Sequence, residues 1–287
     1  MRKLISANMA RLVRSKLFWL CLLICFGVGW YCADQFCMYQ PLCREYIVAG
    51  ASEVYREFGM YLPFIIAAFI SFWLGTEYSG GAIRNKLAVG HTKEQIYVAN
   101  WLVCTLAGVV MNLVVILTTT ILTLPWGIIL KEYYQCKPVV KRLVGYMAVS
   151  TLAIVAVSSL LVLLAMLLQN RTAGVLVALA VIVVLVVAAE YMNTSVNAPQ
   201  FVFGTTDIVD GEVVNKLTQQ YNPMYTWGTK KTIFDCLTDI QPLGQLVRAE
   251  SSVVVEEKGV LYAVYSGIIA LVMFCGGLLW FRKRDIK

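Results

Sequence analysis

Gly75-Thr76-Glu77-Tyr78-Ser79-Gly80-Gly81-Ala82-Ile83-Arg84-Asn85-Lys86-Leu87 is a short, polar, positively charged stretch set between two long apolar runs. Its setting decides how the chain folds. The runs on either side, residues 60–74 and 97–122, read as membrane-crossing helices, so the stretch is their connection on one side of a bilayer. A chain with only 14% charged residues has gathered Glu77, Arg84 and Lys86 into one tight link. On the cytoplasmic side, such a link offers a grip to a soluble partner.

Composition agrees with a polytopic membrane protein. The 287 residues are 59% hydrophobic, and mean hydropathy is +0.71. Soluble domains carry about 25% charged and 45–50% apolar residues. The net charge of +7 comes mainly from short basic flanks, which is not the make-up of a nucleic-acid-binding protein.

A helix that crosses the hydrocarbon core needs about 20 mostly apolar residues. Six segments meet or approach that length: 17–33, 60–74, 97–122, 144–168, 172–189 and 260–281. The second is short, and Pro63 near its start is expected to bend it. The first is read as a retained span rather than a cleaved leader. Arg2, Lys3, Arg11, Arg14 and Lys16 precede it, no Ala-x-Ala site follows, and a cut after Ala33 would put bulky Tyr31 at the −3 position.

The Lys/Arg bias of short loops sets the orientation. With both termini cytoplasmic, the inner segments hold Arg2, Lys3, Arg11, Arg14, Lys16, Arg84, Lys86, Lys93, Arg171, Arg282, Lys283, Arg284 and Lys287. The two short outer loops hold Arg44, Arg56, Lys131, Lys137, Lys141 and Arg142. Both termini inside is therefore expected, with the basic loop 131–142 as the misfit. Residues 1–16 read as an interfacial helix on the inner leaflet. Leu4, Ile5, Met9, Leu12 and Val13 recur at helical spacing among Arg2, Arg11, Arg14 and Lys16.

Within the connecting segment 76–95, residues 82–89 predict a short helix with Ile83 and Leu87 on one face and Arg84, Asn85 and Lys86 on another. Gly90 suits the left-handed residue that ends a helix. Thr92 reads as the N-cap of the next helix, and Gln95 would complete a capping box. Together these make a bent lever joined rigidly to the third span. The plainer reading is a solvated loop.

The run Glu77-Tyr78-Ser79-Gly80-Gly81-Ala82-Ile83-Arg84-Asn85-Lys86-Leu87-Ala88-Val89-Gly90 resembles the segment after the second span in permease subunits of type-2 ATP-binding-cassette (ABC) transporters. Asn222-Pro223-Met224-Tyr225 and Pro242-Leu243-Gly244-Gln245 resemble that family's pattern ahead of the last span. The six-span layout is similar from end to end, and the branch it resembles is that of Gram-positive exporters of peptides, bacteriocins and drugs. The resemblance implies a single permease domain over 1–287 in a bacterial plasma membrane. It implies a coupling helix docked in an ATPase groove, with Glu77, Tyr78, Arg84, Asn85 and Lys86 as the docking residues. Implied partners are that ATPase, a second permease chain and an amphipathic or hydrophobic cargo, with no nucleic acid. Gly81 stands where many relatives carry Thr. The other function weighed is a membrane peptide sensor or immunity protein that binds at the outer loop without transport.

Motif absences point the same way. No Gly-x-x-x-x-Gly-Lys-Ser/Thr loop is present, so ATP hydrolysis is expected in a partner and not in this chain. Ion-coupled transporters bury ionisable groups at mid-membrane, and none of the six spans carries one near its centre. His91 with Glu94 is too small a set for a metal, and no hydrolase elbow or zinc-helix motif appears. No catalytic, cofactor-binding or metal residue is therefore expected. Cys21, Cys25, Cys104 and Cys275 lie in spans as small apolar residues, whereas Cys32, Cys37, Cys43, Cys136 and Cys236 fall at or beyond the outer face.

Thr118–Thr120, Thr123, Ser150, Thr151, Ser158 and Ser159 serve either helix packing or a cargo-contacting seam, and Asn112 must find a partner within the bilayer. Gly267, Gly276 and Gly277 would let the sixth span approach a neighbour. The outer loop 190–259 is polar and poorly periodic near 201–214. It then shows a helix marked by Ile233, Phe234, Leu237 and Ile240 and ended by Pro242 and Gly244. The fold expected is an all-α integral membrane protein of six transmembrane helices with an interfacial helix, a coupling helix and an extended outer loop.

Overall fold

The structure, a computed structural model, describes residues 1–39, 47–131, 139–204, 207–209, 212–214, 218–249 and 252–283. Among these, 35–39, 47–60, 123–131, 139–143, 203–204, 207–209, 212–214, 218–219 and 252–256 are described by backbone alone. The expectations for Arg44, Cys43, Cys136, Lys137, Arg284 and Lys287, and for the side chains of Cys37, Arg56, Thr123, Lys131, Lys141 and Arg142, lie outside the described residues.

The chain runs α1 (Arg2–Arg14), α2 (Lys16–Tyr39), α3 (Ile47–Ser79), α4 (Ala82–Ala88), α5 (Lys93–Lys131), α6 (Val139–Leu168) and α7 (Arg171–Asn197). It continues through strands β1 (Phe201–Gly204), β2 (Asp207–Val209), β3 (Glu212–Val214) and β4 (Thr218–Tyr221), then α8 (Gly228–Ile240), α9 (Pro242–Arg248) and α10 (Ser252–Lys283). Among the described residues, six helical segments are long and apolar enough to cross a membrane: Lys16–Asp34, Tyr61–Ser79, Lys93–Leu122, Val144–Leu168, Arg171–Asn197 and Glu257–Lys283. A helix closes its own backbone hydrogen bonds, which is what a segment surrounded by hydrocarbon requires. The protein is thus a predominantly helical, multi-pass membrane-type fold.

The second span is longer than its apolar run. Helix α3 continues through Pro63 at one end and carries Thr76, Glu77 and Tyr78 at the other. Glu77 therefore belongs to the last turn of a long helix and not to a loop.

The departure from an all-helical chain lies between α7 and α8. β1 pairs antiparallel with β4, Phe201 opposite Tyr221, and β2 pairs with β3, Asp207 opposite Val214. These three- and four-residue strands are too short to show a period-2 pattern, which is why that stretch reads as irregular.

The spans pack side by side, α2 on α5, α3 on α7, α5 on α6 and α10 on α6. Ile66, Ile70 and Leu74 of α3, Met111 and Ile116 of α5, and Ile154 and Leu161 of α6 fill the interior. Outward faces are equally apolar: Leu23, Phe26 and Trp30 of α2, Val183 and Val187 of α7, and Leu271 and Val272 of α10 are exposed. Apolar residues both inside and outside are the mark of a bundle that lies in lipid.

Several polar groups inside the bundle are tied between helices. Asn112 Nδ2 donates to Ser150 Oγ and Thr151 Oγ1, each at 3.3 Å, joining α5 to α6. Trp101 Nε1 donates to Ser159 Oγ at 2.9 Å, and Thr119 Oγ1 donates to the Gly29 carbonyl at 3.2 Å. These hydroxyls serve helix packing. Of Gly267, Gly276 and Gly277 in α10, Gly277 meets a neighbour, the ring of Tyr97, while Gly267 and Gly276 border open space.

The two ends of the bundle differ. One gathers α1, α4, the starts of α5 and α7 and the ends of α3, α6 and α10, with Arg282 Nε 3.3 Å from Glu94 and Arg171 over the Phe72 ring at 4.8 Å. The other carries α8 and α9. Helix α9 is buried against α6, α7 and α3, and α8 lies outside it against α7.

Candidate functional site

At the basic end, the link between α3 and α5 is built as its residues dictate. Gly81 starts α4 with φ 68°, and Gly90 ends the turn with φ 94°, backbone angles that favour glycine. The His91 amide donates to the Lys86 carbonyl and the Gly90 amide to Leu87, which closes α4 with a left-handed C-terminal turn. Thr92 caps α5 by accepting from the Gln95 amide at 3.2 Å. The Gln95 side chain does not return the bond, and its Oε1 lies 3.4 Å from His91 Nδ1. The expected capping box is therefore half formed.

Glu77 is the centre of this region. Its carboxylate is 1% exposed. Arg11 Nη1 lies 2.6 Å from Oε1, Lys86 Nζ lies 2.7 Å from Oε1, and Asn100 Nδ2 donates to Oε2 at 2.6 Å. A second ring closes around it. Asn8 Nδ2 donates to Asn100 Oδ1 at 2.7 Å, and Lys86 Nζ donates to Asn8 Oδ1 at 3.0 Å. The Arg11 guanidinium also stacks 3.9 Å over the Trp73 ring. Four helices, α1, α3, α4 and α5, thus meet on one carboxylate.

Burying a carboxylate is costly unless it is paired and fully hydrogen-bonded. Glu77 has two cations and an amide donor, so the cost is offset as long as all of them stay in place. Removing one partner from a buried pair costs about 3–5 kcal/mol. The half-exposed Arg11 is worth less than Lys86, whose side chain is 15% exposed against 37% for Arg11.

The five residues expected to dock a partner do not share one environment. Arg84 and Asn85 are exposed on the outer face of α4. Glu77 and Lys86 face inward and hold each other. Tyr78 is half-buried, its hydroxyl donating to the Met166 carbonyl at 3.3 Å and lying 3.1 Å from Met166 Sδ. Ile83 is buried under α4, as its helical spacing with Leu87 predicts.

Asn8, Arg11 and Asn100 complete the site and do not stand out as such in the sequence. Asn8 sits between Leu4 and Leu12 on the buried face of α1, and Asn100 interrupts the apolar run of α5. A polar residue on an otherwise apolar helical face is the signal that marks both. The same geometry alters the reading of α1. Its Leu4–Asn8–Leu12 face packs on the protein, against α5, and Val13 points away, 53% exposed.

A second charged cluster lies at the other end. Asp239 accepts from Arg248 Nη1, from Lys258 Nζ at 2.8 Å and from the Tyr262 hydroxyl at 2.9 Å. Asp235 pairs with Arg248 Nη2 at 2.7 Å. Burial pushes the Asp239 carboxyl up, but hydrogen bonds from Lys258, Tyr262 and Arg248 outweigh it and hold the group below the usual carboxylate value. The cluster fastens α8 and α9 to α10. Among the described residues no group of three or more His, Cys, Asp and Glu side chains is arranged to hold a metal.

The chain matches no known protein-family model, and no curated protein matches it.

Proposed function

We propose that the chain is the membrane-spanning permease subunit of an ATP-driven ABC exporter, seated in a bacterial plasma membrane with both termini in the cytoplasm. Two permease chains, identical or related, form the path for an amphipathic or hydrophobic cargo, and separate ATPase subunits supply the energy. The observation that carries this reading is the Glu77 hub. It fixes α4 to α1, α3 and α5, while Arg84 and Asn85 stay exposed on the outer face of α4. A force applied to those two residues passes into two spans and the N-terminal helix without a flexible step. Glu77 and Lys86 serve to hold the lever, and Arg84 and Asn85 serve to touch the partner.

The basic character of this end supports a cytoplasmic position, because short cytoplasmic loops are rich in Lys and Arg. The lack of a phosphate-binding loop in the sequence supports an external motor. The test is copurification with an ATPase encoded next to this chain. Arg84→Glu together with Asn85→Asp is expected to abolish copurification while thermal stability is unchanged. Retention of the ATPase by that variant would remove the docking assignment.

A further inference from the structure

Helix α8 is amphipathic in the sense opposite to that of a soluble surface helix. Its carboxylates, Asp235 and Asp239, turn toward the protein, where Arg248 and Lys258 bind them. Its apolar residues Ile233, Leu237 and Ile240 turn outward and are 51%, 47% and 44% exposed. Spacings of four and three residues align them in one stripe. Water is a poor covering for that stripe, and hydrocarbon is a good one.

Hydrogen bonds give the level of each end of α8. Thr226, just before α8, donates to the Ser195 carbonyl, and Gln241, just after it, donates to the Leu185 carbonyl. Measured along α7 from Arg171, those carbonyls lie about 36 Å and about 21 Å away at 1.5 Å per residue. Gln245 accepts from Ser266, about 24 Å along α10 from Arg282. A hydrocarbon core is about 30 Å thick. With Arg171 and Arg282 set at one edge of that core, the start of α8 lies at headgroup height, and its end lies at or just below the opposite boundary, between the level of Leu185 and that of Tyr262, which binds Asp239 from about 30 Å along α10.

The side chains are graded to match. Trp227, 73% exposed, and Lys230 and Lys231 occupy the upper end. Phe234 meets Tyr191 edge-on at 6.0 Å near the boundary, with Lys230 Nζ 5.3 Å from the Phe234 ring. Below them come Leu237 and Ile240. Tryptophan and tyrosine at the interface with lysine above is the order found where helices meet lipid. Asp235 and Asp239 are taken up by Arg248 and Lys258, and no ion pair to Lys230 or Lys231 occurs among the described residues.

We infer that α8 is a lipid-binding surface, with Ile233, Leu237 and Ile240 among the acyl chains of the leaflet on its side and Lys230 and Lys231 on the phosphates of anionic phospholipids. This assignment holds whether or not the chain is part of a transporter. An ATPase that fails to copurify leaves it intact, and a water-exposed α8 leaves the docking assignment intact.

The test has two arms, both in vesicles of phosphatidylcholine with and without phosphatidylglycerol. In the first, a nitroxide is placed on exposed Cys236 with the other cysteines changed to alanine. Collisions with oxygen are expected to exceed those with an aqueous nickel chelate. The reverse order overturns the inference, and so does shielding from both, which means that a second copy or another protein covers the stripe. If the alanine background fails to fold, a phospholipid bearing a photoactivatable carbene on its acyl chain is used with the unaltered protein. Adducts on Ile233–Ile240 support the inference, and their absence there overturns it. In the second arm, the preference of the unaltered protein for spin-labelled phosphatidylglycerol over phosphatidylcholine is compared with that of the variant K230Q/K231Q. A loss of about fivefold per lysine is expected, and an unchanged preference overturns the headgroup assignment.

Discussion

The Lys86 ammonium sits 2.7 Å from the Glu77 carboxylate, which is itself shut off from solvent. Nine residues separate the two in sequence, and the turn at Gly80–Gly81 folds α4 back so that they meet. The pair makes the α3–α5 connection a rigid element. Glu77→Gln keeps the shape of the side chain but leaves Lys86 facing a neutral amide. We expect a loss of about 3 kcal/mol, read as a fall in thermal midpoint in detergent. The double variant Glu77→Gln/Lys86→Met should recover part of it, because the more buried cation leaves with its carboxylate and only the partly exposed Arg11 guanidinium is then unpaired. A midpoint unchanged in Glu77→Gln would show that the hub does not hold α4.

Asn100 reaches the other oxygen of Glu77 and also binds Asn8 of α1. Asn100→Leu is therefore predicted to loosen α1 as well as α4. Hydrogen exchange of the α1 amides should rise at least tenfold, a change of about 1.4 kcal/mol in local opening, while exchange in α6 stays as it was. Equal acceleration in both helices would point to global destabilisation and not to a specific tether.

Gly277 of α10 faces the ring of buried Tyr97, and even a β-carbon there meets the phenol. Gly277→Ala is expected to cost about 1–3 kcal/mol through overpacking. Tyr97→Phe removes the hydroxyl nearest to the new methyl group, though the ring stays close, and should restore part of that loss when combined with Gly277→Ala. The double-mutant cycle checks it: additive costs would mean that the two side chains do not compete for space.

The Asp239 cluster has a pH dependence of fixed sign. The Asp239 carboxyl is held below its ordinary value, so its contribution is complete above about pH 4 and is lost as pH falls through the depressed native value. Protease sensitivity of the α8–α9 segment should be flat from about pH 7 to about pH 5 and should rise only below about pH 4. Asp239→Asn should bring that sensitivity to neutral pH, since Arg248 and Lys258 lose the more buried of the two carboxylates they share. Loosening between about pH 5 and pH 7 in the unaltered protein would contradict the assignment.

Much of the architecture was legible because hydropathy is averaged over long windows. The runs at 97–122 and 144–168 coincide with candidate spans at Lys93–Leu122 and Val144–Leu168. The short run at 60–74 was extended in the structure because Thr76, Glu77 and Tyr78 are polar but helical, each satisfied by a contact that no local window detects. Gly90 and Thr92 declared their turn and cap through local chemistry. Pro242 was half legible: it does end α8, but as the first residue of α9, a position where its missing amide is no loss. The hub itself was hidden. Arg11 and Glu77 are 66 residues apart, and single-sequence patterns hold no information on which cation meets which carboxylate across such a distance.

The central claim is that the α4 face bearing Arg84 lies in the cytoplasm, where a motor can reach it. The most direct measurement is labelling of Arg84→Cys, in a background with the native cysteines replaced by alanine, by a membrane-impermeant maleimide added to intact cells. The account predicts no labelling until the cells are permeabilised, and full labelling thereafter. Labelling of intact cells at the permeabilised level would contradict it.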